Sequence, residues 1–226
     1  MRTVPTSCRT RLTARDFEFV ASALAGGKVE TTVVQSLLRE PRTLDALLDR
    51  PQVLRTIIEL PDPLGISPEL YFYVLVRHNL LDAGVDDIEI ADYIAATLAG
   101  HARGNPLSGL TGRKPGVDFT YHVDFIEGLG GLNHYDRFFL HVQCGNQFLV
   151  LTGLFPNFLR RRAERRGAPA VHYYESVARD AFLAAREHPL AEEFAVADIY
   201  GRLAGCFCET RRALNRMAED YLFLGT

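Results

Sequence analysis

The chain has 226 residues, 47% of them hydrophobic, with 14 Phe, no Trp and a formal charge of −3. That is ample apolar material for one sizeable core, and it excludes a global basic field of the kind that draws a protein onto nucleic acid. Any such contact has to come from a local patch. The four cysteines, Cys8, Cys144, Cys206 and Cys208, form no CxxC pair and no zinc-knuckle or secreted-disulfide spacing, so they read as reduced thiols.

The N-terminus, MRTVPTSCRTRLT, carries Arg2, Arg9 and Arg11 but no apolar run behind them, so it reads as a frayed basic tail and not as a secretory signal. Thr13 with Asp16 three residues later is a capping-box pattern, and Phe17, Val20, Ala21 and Leu24 follow at helical spacing until Gly26 and Gly27. Short helices then carry Val33, Val34, Leu37 and Leu38, then Leu44, Leu47 and Leu48, then Val53, Leu54, Ile57 and Ile58, the last opening at Pro51. Ser67, Pro68 and Glu69 start a helix that reaches about Asp82, because serine caps, proline fits the first turn and the acid suits the positive end of the dipole. Within it His78 leans towards the core. Another helix runs from Asp86 or Asp87 to about Ala99.

Residues 101–116, HARGNPLSGLTGRKPG, are Gly- and Pro-rich without a period and read as a loop. Residues 117–125, VDFTYHVDF, satisfy both a strand and a helix pattern; helix is the better reading, because a lone strand has no evident partner for its backbone groups. Residues 138–158, FFLHVQCGNQFLVLTGLFPNF, form a central buried helix that carries His141, Gln143, Asn146 and Gln147, polar groups that need partners in the core or face a cavity. It is not a membrane span. Those four fall within seven residues, and the run after them stops at Pro156, short of the roughly 20 residues a span needs. A helix over about 171–187 and a long final helix from Asp198, with Ile199, Leu203, Cys206, Ala213, Met217 and Tyr221 on its buried side, complete the chain.

The fold expected is all-α, a multi-helix bundle of about eight to ten helices around 138–158. It reads as one domain over 1–226, divisible into helical subdomains 14–100 and 117–226 joined by the 101–116 loop.

Four residues are candidates for binding a ligand: His134, His141, Asn146 and Gln147. His134 and His141 lie seven apart on one helical face, in line with Gly145 and Thr152, which suits a haem or a groove-bound ligand better than a single metal held by the pair, whose ligands on a helix are three or four apart. Arg160, Arg161, Arg162, Arg165 and Arg166 form a basic patch suited to an acidic protein and, less readily, to nucleic acid.

Arg166 and His172 resemble the Arg and His spacing of HEPN-type helical ribonucleases, which implies arginine stabilising a pentavalent phosphate and histidine as general acid or base. The Tyr-Tyr-Glu in HYYES, 172–176, is similar to that of thiaminase-like helical enzymes, but nothing else in the chain extends the match and it is not adopted. The reading preferred is a cytoplasmic, soluble protein that acts by protein–protein contact, with itself or an acidic partner, without evident catalysis. A ligand-, metal- or haem-binding protein and the ribonuclease are the alternatives.

Overall fold

The computed structural model describes residues 4, 7–25, 34, 36–37, 40–60, 65–103 and 130–222. Among them the chain forms helices and no strand: α1 Ala14–Leu24, α2 Pro41–Leu48, α3 Pro51–Ile58, α4 Pro68–Asp82, α5 Ile88–Ala102, α6 His134–Leu154, α7 Pro156–Arg166, α8 Val171–Arg186, α9 Pro189–Glu193, α10 Ala197–Gly205 and α11 Phe207–Met217. A π-turn, Ala218–Leu222, follows. The all-α bundle expected from the sequence is what forms. The 117–125 segment, residues 104–116 and half of 33–38 lie outside the described residues; what is described of 101–116 continues α5 through Ala102.

Local chemistry sets the helix starts. Thr13 Oγ1 accepts from the Asp16 N–H while the Asp16 carboxylate accepts from the Thr13 N–H, so the capping box closes in both directions. Ser67 caps α4 through the Leu70 N–H, and Asp87 caps α5 through those of Glu89 and Ile90. Prolines open α2, α3, α4, α7 and α9, where the missing N–H would have had no partner in any case.

Two expectations need correction. The central helix spans His134–Leu154, not 138–158: Asn133 caps it through the Asp136 N–H, and the chain breaks at Phe155 before Pro156 opens a new helix at 90° to it. The single long final helix is two, divided at Cys206, because α10 packs on α8 whereas α11 packs on α4 and α6. One straight rod could not reach both partners.

At the centre of the core is α6, with α8 and α11 against it. A Cβ at Gly145 would lie 2.8 Å from the Phe182 ring of α8, and one at Gly153 would lie 2.8 Å from Leu214 Cδ1 of α11. Both glycines are contact points at which a neighbouring helix closes in. One hydrophobic cluster runs from Val4 to Met217, so the helices before and after the 101–116 stretch share a core.

Within the segment expected to be a frayed tail, residues 7–13 are anchored. Asp92, buried on α5, accepts from Ser7 Oγ at 2.6 Å, Cys8 N at 2.7 Å, Arg9 N at 3.0 Å and Arg9 Nε at 3.2 Å. Buried Glu69 pairs with Arg103, with Arg11 at 4.0 Å, and Asp16 also accepts from the Ser67 N–H at 2.8 Å. Three buried carboxylates therefore fasten 7–16 to α4 and α5, and each is matched by donors, as burial of a charge requires.

Candidate functional site

The polar residues of α6 divide by environment. Asn146 is fully buried and its Oδ1 accepts from the Tyr93 hydroxyl at 2.7 Å, tying α6 to α5. Thr152 turns inward and donates to the Phe148 carbonyl at 2.6 Å. Gln143 Oε1 and Asn146 Nδ2 are buried and find no hydrogen-bond partner among the described residues. Gln147 is half-buried, and the space beside Gly145 is filled by the Phe182 ring. Around Asn146 the rings of Tyr93, Phe182 and Tyr200 pack at centroid distances of 5.4 to 6.3 Å. Burial raises the Tyr93 and Tyr200 hydroxyls far above their ordinary range, so both stay neutral.

The two histidines do not form a bare pair. His134 is exposed and stacks on His188, with ring centroids 4.0 Å apart. His141 is half-buried, and its imidazolium is disfavoured first by burial and then by His188 and Arg137. Among the described residues no group of three or more His, Cys, Asp or Glu side chains is placed to hold a metal. A groove of about 480 Å³ runs past Asp82, Glu209 and Arg212, and another of about 290 Å³ lies at Arg186, Glu192 and Asp198. Neither is lined by His141, Asn146 or Gln147.

At the far end of α6 the sequence creates a problem that α11 solves. Pro156 has no N–H to return to the Thr152 carbonyl, and the 90° turn leaves the end of α6 short of donors. Asn215 Nδ2 fills the gap, donating to the Thr152 and Gly153 carbonyls at 2.8 and 2.7 Å. Its own Oδ1 accepts from Arg211, and Arg211 in turn pairs with Glu175 of α8. The bend is thus pinned by a relay of three side chains from two helices.

Beyond the bend, α7 is anchored by buried Leu159, while Arg160, Arg161 and Arg165 are exposed and take part in none of the ion pairs among the described residues. The Arg162 guanidinium lies over the Phe158 ring at 5.3 Å, a cation–π contact. Phe158, Arg161, Arg162 and Arg165 follow the spacing that puts residues on one helical stripe. Three aromatic side chains are exposed along this region, Phe155 at 39%, Phe158 at 46% and Tyr173 at 38%. Gly167, at φ 61°, ends the helix in the left-handed conformation that glycine adopts without strain.

The remaining candidates are separated or already engaged. Arg166 is the last residue of α7 and exposed His172 stands in the first turn of α8, with the 167–170 turn between them. The Glu175 of the Tyr-Tyr-Glu run is the partner of Arg211. Burial pushes the Cys8 and Cys144 thiols far up, which makes them poor nucleophiles at neutral pH.

No family model, curated protein or solved structure matches this chain. Its functional reading therefore rests on geometry. Sequence reasoning singled out the arginines of α7 and did not single out Asn215, which holds the bend, or His188, which stacks on His134. Both act across more than 50 residues of chain, and neither stands in a local pattern that marks it.

Proposed function

We propose that the protein is a docking protein without catalysis of its own, and that α7 is the surface that engages an acidic face of a protein partner. The observation that carries this reading is the stripe of exposed Phe158, Arg161 and Arg165, with half-buried Arg162 over the Phe158 ring, presented on a helix turned 90° from the core helix. Its composition favours a protein over a lipid surface or RNA. Arginine and aromatic side chains are the types enriched at the centres of protein interfaces, and lysine is depleted there. All five cations of α7 are arginine, whose planar fork matches a carboxylate in two places at once, and the only lysines in the chain are Lys28 and Lys114. Tyr173 and Phe155 supply apolar contact beside the charges.

The test is binding of a fluorescent Glu/Leu-rich helical peptide, measured by anisotropy at physiological salt. The double variant Arg161→Glu, Arg165→Glu is expected to weaken binding about 10-fold, equivalent to about 1.4 kcal/mol shared between two partly screened ion pairs. Unchanged affinity in that variant would refute the assignment. Tighter binding to anionic vesicles or to single-stranded RNA than to the peptide would transfer the surface to another class of partner.

A further inference from the structure

We propose that His188 is a proton-operated latch at the α8–α9 corner: neutral, it caps α9 while bonded to the first turn of α6, and a second proton keeps the bond to α6 but breaks the cap and lets α9 open. The proposal does not depend on the docking surface. Its basis is that both ring nitrogens have partners of fixed character. Nδ1 lies 3.1 Å from the Leu190 N–H, which can only donate, and Nε2 lies 3.0 Å from the His134 carbonyl oxygen, which can only accept. Nδ1 must then carry a lone pair and Nε2 the proton, so the partners select one neutral tautomer. A second proton has nowhere to go but Nδ1, where it would set one N–H against another and remove the N-cap of α9.

The corner itself is short. α9 has five residues, too few for a helix to stand by itself. Ala195, just after it, sits at φ 53°, a left-handed conformation that strains a residue with a Cβ. The corner is kept in place by buried Ala191 and Val196, by Leu190 against the core, by the Phe194 ring stacked on Phe138 of α6 at 5.9 Å, and by His188, which packs on His134 at 4.0 Å and on Phe138 at 5.2 Å.

The charged surroundings come from four helices. α6 contributes His134, Asp136, Arg137 and His141; Arg186 and Glu187 lie at the end of α8; Glu192 and Glu193 belong to α9 and Asp198 to α10. The carboxylates of Glu187, Glu192, Glu193 and Asp198 are exposed, so solvent and salt weaken their pull on a cation at His188. Partial burial opposes the cation, the bond to the His134 carbonyl favours it, and the His134 ring opposes it again, with a net shift below the ordinary 6.5. A folded-state value below the unfolded one means stability that is present above pH 6.5 and lost as pH falls through the folded value. The latch is therefore shut at neutral pH and opens in mild acid.

The test is amide exchange at Leu190, Ala191, Phe194 and Val196, corrected for intrinsic rates, at pH 7.5 and 5.0. In the unaltered protein, protection at these four amides is expected to fall at least 10-fold at the lower pH, while amides at the centre of α6 keep theirs. His188→Asn supplies a capping oxygen that does not titrate, and protection there is expected to be independent of pH. Equal pH dependence in that variant, or none in the unaltered protein, overturns the proposal. An imidazole nitrogen spectrum of the unaltered protein at pH 7.5 tests it without any variant: the Nε2–H tautomer is expected, and the Nδ1–H tautomer at His188 would end it.

Discussion

Gly145 shows how a single residue sets the geometry around α6. Alanine there would place its methyl 2.8 Å from Cε1 and Cζ of Phe182, a ring that is itself buried against Tyr200 and Phe207 and has no free space to enter. Gly145→Ala is expected to destabilise by about 1–3 kcal/mol through overpacking, offset by up to about 1 kcal/mol of improved helix propensity. Urea denaturation would read the difference. In a Phe182→Leu background the alanine should cost less, and an equal cost in both backgrounds would show that the methyl does not meet the ring. At this scale the sequence was legible where partners are close in the chain, as in the Thr13 and Asp16 box or the Ser67 cap. It was opaque where they are far apart. Nothing near Asn146 announces Tyr93, 53 residues away, and nothing near His134 announces His188.

Among the helices, the α6–α7 bend is the feature on which the candidate surface depends. Pro156 made the break visible in the sequence, since proline cannot continue the ladder of α6. The residue that makes the bend tolerable, Asn215, was not visible, because its role exists only once α11 has packed across α6. Asn215→Leu removes the donors to the Thr152 and Gly153 carbonyls and is expected to cost about 1–3 kcal/mol, since acceptors at the contact between two helices lose their partners. Chemical denaturation checks the magnitude, and faster amide exchange in the first turns of α7 checks the location. An Asn215→Leu protein as stable as the parent would mean that solvent serves those carbonyls equally well. The division at Cys206 was illegible for a related reason. The apolar spacing from Ile199 to Met217 fits one helix, and only the two separate packing partners of α10 and α11 require two.

For the whole molecule, hydropathy marked out a chain able to bury a core, and one cluster from Val4 to Met217 is what forms. Among the described residues no single helix is long and apolar enough to cross a membrane, and the segment that came nearest by composition is the buried centre of that core followed by a 90° turn. The formal charge of −3 conceals an uneven distribution: α7 holds five arginines and one glutamate, so the rest of the chain is distinctly acidic. Such a separation orients an approaching acidic partner before contact and makes the encounter sensitive to salt.

The central claim is that α7 is the contact surface, and amide chemical-shift mapping tests it most directly. Titration of isotope-labelled protein with the Glu/Leu peptide is expected to move resonances of α7 together with Phe155 and Tyr173, and these shifts should vanish in Arg161→Glu, Arg165→Glu. Shifts centred on His141 and Asn146, or on the groove at Asp82 and Arg212, with α7 unmoved, would contradict the account.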